Sequence, residues 1–198
     1  PVGCTATIIL QMYEEMGIVP EKGIAGLLMA AIISDTLVFR SPTCTDIDRR
    51  ACEKLAGIAG VEIDDFAHQM FEAGSSLQSK SAEEICYQDF KTFDNEGWSF
   101  GVSQITSLDQ TELDRLKEKI EPCLENIMDN QDLDMMFMMM TNIVETNTEL
   151  LCCGPLAEDT AREAFNIPED MDKIVLKGIV SRKKQFLPAF AEALQSKA

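Results

Sequence analysis

The stretch Leu133-Asp134-Met135-Met136-Phe137-Met138-Met139-Met140-Thr141-Asn142-Ile143-Val144 is mostly apolar, interrupted only by Asp134 and by Thr141-Asn142. A strand with one solvated face alternates apolar and polar residues, whereas a strand covered on both faces forms a continuous apolar run. We therefore predict a central strand here. Its five methionines favour core packing over a metal or ligand surface, because the flexible thioether side chain fills irregular gaps.

Further strands and helices are predicted on both sides of this run. Strand-like stretches occupy residues 89–93, 99–106, 149–153, 173–176 and 178–181. Helices are predicted from a capping box at Ser81, over 109–129 with a disturbance at Pro122, over 154–165, and from about 184 to 193. This alternation predicts an α/β domain over 80–198, with a mixed sheet of about five strands flanked by helices.

The first third of the chain is predicted to be helical. Helical spacing and terminators place four helices at about 5–16, from Pro20 to about 35, at 45–60 and at 64–74. The buried stripe of the second helix is predicted at Ile24, Leu27, Leu28, Ala31 and Ile32. The small polar residues 75–79 are predicted to be a linker, so residues 1–74 and 80–198 form separate domains.

Charge and composition exclude several classes of protein. The chain carries a formal charge of −17, which argues against nucleic-acid binding, since that depends on many Lys and Arg side chains. No apolar run approaches the length of a membrane span. The seven scattered cysteines indicate free thiols in a cytoplasmic protein, and the one histidine, His68, favours a structural role.

The run Val180-Ser181-Arg182-Lys183-Lys184-Gln185 concentrates positive charge near the C-terminus. Residues 173–198 contain six basic residues and one acidic residue, a net +5 that leaves −22 for residues 1–172. Pro188 fits without loss only in a first helical turn, so Arg182 and Lys183 are predicted at or just before a helix N-terminus. Such a position binds anions, although a solvated basic surface is equally compatible with the run.

Two further residues are candidates for a functional site. Asp35 follows a dozen mostly apolar residues at a helix C-terminus, where a bound cation would offset an unfavourable dipole. The alternative for Asp35 is a frayed helix end exposed to water. Lys91 lies between Phe90 and Phe93 on a predicted strand, and nothing local assigns it more than a solvent-facing role.

Three segments in order carry a resemblance to a known family. They are Pro1-Val2-Gly3-Cys4-Thr5-Ala6-Thr7-Ile8-Ile9, then Ala31-Ile32-Ile33-Ser34-Asp35-Thr36-Leu37-Val38-Phe39-Arg40-Ser41-Pro42-Thr43-Cys44-Thr45, then Leu176-Lys177-Gly178-Ile179-Val180-Ser181-Arg182-Lys183-Lys184-Gln185. With these segments, the chain resembles the family II inorganic pyrophosphatases of the DHH phosphoesterase superfamily over essentially its whole length.

The resemblance implies a function and a role for each candidate. Asp35 matches a metal-ligand aspartate, whereas Arg182, Lys183 and Lys91 match residues that bind the phosphates of the substrate. The implied reaction is hydrolysis of pyrophosphate by metal-activated water, with two or more Mn²⁺ or Co²⁺ ions, or Mg²⁺ as an alternative. Residues 1–74 would be the C-terminal part of a DHH domain, and residues 80–198 a complete DHHA2 domain.

The chain departs from the family pattern in its metal ligands. The family's N-terminal histidine, Asp-x-Asp, later aspartate and DHH His-His pair would all precede Pro1, and one carboxylate cannot hold a binuclear centre. We therefore expect this chain alone to be inactive. We expect its incomplete first domain to expose apolar surface, which favours self-association as a homo-oligomer or a rearranged packing. Two alternatives remain: an exopolyphosphatase-like relative, and a non-catalytic anion-binding or assembly module.

Overall fold

The computed structural model describes residues 1–74, 77 and 80–197, and the chain divides into two units, Pro1–Gly74 and Ser75–Ala198. Each unit has a hydrophobic core of its own. Of the linker predicted at 75–79, residues 75, 76, 78 and 79 lie outside the described residues.

The first unit is helical, as the sequence predicts. Its helices are α1 Thr5–Glu15, α2 Lys22–Asp35, α3 Asp46–Ala59 and α4 Ile63–Gly74. The start of α3 is set by a capping box in which the Thr45 side chain accepts from the Asp48 N–H and the Asp48 side chain accepts from the Thr45 N–H. Gly60, in the left-handed region at φ +67, ends the same helix.

The buried face of α2 differs from the prediction. The helix is buried through Ala25, Met29, Ile32 and Ile33. Two residues of the predicted stripe, Ile24 and Leu27, are instead 41% and 70% exposed. Because α2 is apolar on nearly all sides, its pattern does not identify the buried face, which is set by packing against α1 and α3.

The second unit is built on a five-stranded mixed sheet in the order β1-β2-β3-β4-β5. The strands are β1 Phe90–Asn95, β2 Trp98–Ser107, β3 Met135–Asn142, β4 Asn147–Cys153 and β5 Ile174–Lys177. Only the β2–β3 pair is parallel, and it is joined by a helical connection as parallel strands require. The predicted fold class, a mixed sheet flanked by helices, is confirmed.

The central strand β3 is buried at all eight positions, as its apolar run predicts. Its side chains alternate between two cores. Met136, Met138 and Met140 pack into one core, whereas Met135, Phe137 and Met139 pack into the other. The methionines are therefore core residues and not a ligand surface.

The helices of the second unit cover both faces of this sheet. They are α5 Ala82–Gln88, α6 Gln110–Ile120, α7 Leu124–Asn130, α8 Ala157–Phe165 and α9 Leu187–Gln195. The disturbance predicted at Pro122 is present as a 3-10 turn over Glu121–Cys123 that separates α6 from α7. A capping box at Ser81 starts α5 as predicted.

The segment after β5 corrects two predictions. Residues 178–181 do not form a strand. The final helix begins earlier than residue 184, with a π-helical turn over Arg182–Phe186 in which the Leu187 N–H bonds to the Arg182 carbonyl. Pro188 has no N–H to donate into this region, so the wider turn and the proline occur together at the start of one helix.

Two further expectations concern cysteines and membranes. All seven cysteines are free thiols, as predicted. Within residues 1–74, 77 and 80–197, no helix has the length and hydropathy that a membrane span would need.

Candidate functional site

Polar side chains of the sheet hold residues 178–181 in place. Thr148 Oγ1 donates to the Ile179 carbonyl at 2.6 Å, and Gln104 Nε2 donates to the Val180 carbonyl at 3.0 Å. Thr148 also shares a 2.8 Å hydrogen bond with Thr141, and both threonines are fully buried. These carbonyls are bonded to side chains, which explains why the segment does not add a further strand to the sheet.

Gln185 fixes the same segment from the helix side. Its Oε1 accepts the N–H groups of Val180 and Ser181, both at 3.0 Å, and its Nε2 donates to the Gly178 carbonyl at 2.7 Å. The Ser181 hydroxyl caps the helix by accepting the Lys184 N–H. The basic run therefore begins at a firmly held helix N-terminus, a position that is suited to an anion.

Arg182 is the first residue of the helical turn, and its guanidinium reaches β2 and the residue that precedes β1. Nη1 donates to the carbonyls of Asp89 at 2.6 Å and Val102 at 3.0 Å. Nη2 donates to Asp89 Oδ1 at 2.8 Å. Only 13% of the Arg182 side chain is exposed, so it is a held residue and not a solvated surface cation.

Lys91 lies opposite the residue of β2 that Arg182 contacts. It is the direct cross-strand partner of Val102, whose carbonyl receives Arg182 Nη1. Cross-strand partners share a face of the sheet, and Val102 packs in the core that contains Phe186 of the π-helical turn. Lys91, Arg182 and the start of the final helix therefore lie on one face of the sheet, with Lys91 and Lys183 both exposed.

This arrangement is suited to binding a phosphate-like anion. It combines a helix N-terminus, a guanidinium held in one orientation and two exposed ammonium groups in an otherwise acidic chain. Arginine offers pairs of parallel N–H donors, and lysine adds a mobile point charge.

Asp35 is the last residue of α2 in the first unit and is exposed. Its neighbour is the Cys4 thiol. Burial raises the pKa of Cys4 to about 11, and the hydrogen bond and negative charge of Asp35 contribute to the same shift.

The residues around Asp35 do not make a complete metal centre. Across the parts of the chain that the structure describes, no group of three or more His, Cys, Asp or Glu side chains is placed to hold a metal ion. His68, the one histidine, is exposed on α4. The donor set of this chain therefore does not fit the binuclear centre that the resemblance implies.

Several residues that support the site were not identified from the sequence. They are Asp89, Gln104, Thr148 and Gln185. A polar side chain within a strand, such as Gln104, is a weak signal, because a polar group packed into a sheet needs a partner. That signal does not name the partner, which in this case lies 76 residues away.

Comparison with known proteins identifies the family. The model of the DHHA2 domain matches residues 68–193. The chain belongs to the DHHA2 family. The matched DHHA2 segment includes the whole sheet and the Arg182-Lys183 pair.

The relatives of this DHHA2 protein are named as pyrophosphatases. The chain is 38% identical over 194 residues to the manganese-dependent inorganic pyrophosphatase of Bacillus subtilis, covering 98% of this chain and 62% of the relative. It is 40% identical over 197 residues to the cobalt-dependent inorganic pyrophosphatase of Clostridium perfringens, covering 100% of this chain and 36% of the relative. The chain thus spans less than two thirds of the length of these relatives.

A solved structure that resembles this chain is described by the same family name as these relatives. A Methanococcus jannaschii protein, described as a candidate family II inorganic pyrophosphatase, superposes with a TM-score of 0.81 at 35% identity, covering 98% of this chain and 66% of that one. The comparisons confirm the predicted resemblance to family II pyrophosphatases. They also confirm the similarity to manganese- and cobalt-dependent enzymes.

Proposed function

We propose that this chain is the phosphate-binding part of an inorganic pyrophosphatase, which hydrolyses pyrophosphate to two phosphates. The observation that carries the proposal is the held Arg182 guanidinium at a helix N-terminus, beside Lys91 on the same face of the sheet. Arg182, Lys183 and Lys91 bind the phosphate oxygens of pyrophosphate. Positive charge placed there also neutralises the leaving phosphate.

The proposal assigns the domains as the sequence predicts. Residues 1–74 are the C-terminal part of a DHH domain, residues 75–79 are a linker, and residues 80–198 are the DHHA2 substrate-binding domain. The division into units at Gly74 supports this assignment, although the family match already begins at His68. The seven free thiols support a reducing location such as the cytoplasm.

Asp35 is proposed as one metal ligand of the whole pyrophosphatase, in which Mn²⁺ or Co²⁺ would activate the attacking water. The described residues of this chain do not complete that centre. The function proposed for the chain itself is therefore phosphate binding without turnover. Phosphate release from pyrophosphate with Mn²⁺ present should stay at the uncatalysed rate, and turnover like that of a complete enzyme would contradict this.

Isothermal titration of the 198-residue chain with pyrophosphate tests the binding site. We expect binding that weakens about tenfold in Arg182→Ala or Lys183→Ala, because a hydrogen bond to a charged group contributes about 1.5 kcal/mol. Arg115→Ala is the matched control. Arg115 is an exposed arginine on α6, which packs on the opposite face of the sheet.

Three outcomes would contradict the proposal or redirect it. The proposed phosphate site would be contradicted if the unchanged chain does not bind pyrophosphate. It would also be contradicted if Lys183→Ala and Arg115→Ala bind pyrophosphate equally well. Lys183 is exposed, so its replacement leaves the fold intact. Tighter binding of longer polyphosphates than of pyrophosphate would favour an exopolyphosphatase-like relative.

A further inference from the structure

The contact between Asp89 and Arg182 uses one particular edge of the guanidinium. The main-chain carbonyl of Asp89 accepts from Nη1 at 2.6 Å, and its Oδ1 accepts from Nη2 at 2.8 Å. One residue therefore faces the edge between Nη1 and Nη2 with two acceptors. The second Nη1 hydrogen goes to the Val102 carbonyl at 3.0 Å.

The remaining donors of Arg182 form a second fork. A guanidinium has five N–H donors, and the three bonds to Asp89 and Val102 use both hydrogens of Nη1 and one of Nη2. Among the described residues, none accepts a hydrogen bond from Nε–H or from the second Nη2 hydrogen. These two N–H groups are parallel, which is the geometry that binds two oxygens of one phosphate.

We infer that Asp89 is a positioning residue, which holds Arg182 so that its Nε–Nη2 edge is presented to a phosphate of the substrate. The inference rests on the phosphate-binding function proposed above. The Asp89 side chain is 49% exposed whereas that of Arg182 is 13% exposed, so a largely covered arginine side chain pairs with a carboxylate that water can reach. Held in this way, Arg182 loses little rotamer freedom when a phosphate binds.

Charge and orientation predict opposite effects of removing this carboxylate. Asp89 brings a negative charge close to a site for an anion, so Coulomb repulsion alone means that Asp89→Ala should tighten pyrophosphate binding. If Asp89 orients Arg182, the same substitution should weaken binding. Asp89→Asn separates the two effects, because the amide oxygen still accepts from Nη2 while the charge is removed.

The test is pyrophosphate titration of the whole chain, with the Arg182 Nε–Hε signal followed by NMR. We expect Asp89→Ala to weaken binding at least about threefold and Asp89→Asn to bind as tightly as the unchanged chain or more tightly. The Nε–Hε signal should shift on addition of pyrophosphate in the unchanged chain and in Asp89→Asn, and should broaden or lose its shift in Asp89→Ala.

Asp94→Ala is the matched control, since it removes an exposed aspartate from β1, the strand that begins directly after Asp89. Binding by Asp89→Ala as tight as that by Asp94→Ala would overturn the positioning role while leaving the phosphate site in place. If Arg182→Ala and Lys183→Ala also bind normally, the phosphate site itself is wrong and the positioning role falls with it. A circular dichroism melt of each variant separates lost orientation from lost fold.

Discussion

The Thr7 hydroxyl donates a 2.6 Å hydrogen bond to Oδ1 of Asp48, a fully buried carboxylate 41 residues later in the chain. Four more donors converge on this side chain. They are the N–H of Gly3 at 2.8 Å, the N–H of Cys4 at 3.3 Å, and the N–H and hydroxyl of Thr45 at 2.9 and 2.7 Å. Asp48 thus ties the start of α1 to the start of α3.

Asp48→Ala should strongly destabilise the first unit. The substitution leaves several buried donors without an acceptor, and each such group costs about 1–3 kcal/mol. We expect the free energy of unfolding of this unit to fall by at least about 3 kcal/mol. Urea unfolding followed by circular dichroism measures the loss. Asp46→Ala, which removes an exposed aspartate from the same helical turn, is the control, and equal stability of the two variants would contradict the role of Asp48.

The same carboxylate should make stability depend on acid. Burial acts to raise the pKa of Asp48, but the hydrogen bonds from Thr7, Thr45 and Gly3 outweigh it and lower the pKa to about 2. A carboxyl whose pKa is lower in the folded state than in the unfolded state stabilises the fold at pH values above the unfolded pKa. This stabilisation is lost as the pH falls through the folded pKa. We expect about 2 kcal/mol to be lost as the pH falls from about 4 through 2.

Urea unfolding at several pH values measures this loss. In Asp48→Asn the side chain does not titrate, so the acid dependence of the first unit should become flatter by a similar amount. If the free energy of unfolding of Asp48→Asn depends on pH as strongly as that of the unchanged chain, other carboxylates cause the effect.

Thr148→Val should loosen the segment that leads to Arg182. The substitution keeps the shape of the side chain but removes the bonds to the Ile179 carbonyl and to Thr141. We expect a loss of about 1–3 kcal/mol, together with faster amide hydrogen exchange at Val180. Thr92→Val, on the exposed part of β1, is the control and should leave exchange at Val180 unchanged. Equal exchange in both variants would mean that Thr148 does not hold the segment.

Two glycines should respond to alanine in opposite directions. Gly154 has φ +100, and a Cβ there would lie 2.3 Å from the Asp134 carbonyl oxygen, so Gly154→Ala should cost at least about 2 kcal/mol. Gly57 lies in α3 with open space around it, so Gly57→Ala should stabilise by about 0.5–1 kcal/mol. Melting temperatures measure whether each variant is more or less stable than the unchanged chain. A lower melting temperature for Gly57→Ala would contradict the prediction that a methyl group fits at this position.

The exposed apolar side chains of the first unit should cause self-association. Ile8 and Met12 of α1 and Met16, its C-cap, follow each other at four-residue spacing and are 46%, 48% and 62% exposed. Leu27 of α2 is 70% exposed. Light scattering should show mass rising with concentration, and Met12→Lys with Leu27→Lys should reduce this. Tyr87→Lys, at a single exposed aromatic of the second unit, is the control. A monomer at high concentration would contradict the prediction.

Much of the fold follows from local patterns. The capping box at Ser81 and the break at Pro122 depend on neighbouring residues, and the structure has both where the sequence predicts them. The buried face of α2 was predicted only in part, with Ile32 buried but Ile24 and Leu27 exposed, because a helix that is apolar all round gives no periodic signal. The prediction of a further strand at 178–181 was wrong, because side chains distant in sequence donate hydrogen bonds to carbonyls of this segment.

Local sequence is enough to predict the buried strand β3 and a basic run close to a helix start. Covering a strand on both faces favours a nearly continuous apolar run, and Pro188 is tolerated only near a helix N-terminus. The start of that helix at Arg182, and the bond from Arg182 to Asp89 93 residues earlier, depend on the tertiary structure. Local periodicity reports which face of an element is buried, but the partner of one side chain depends on how distant strands and helices pack together.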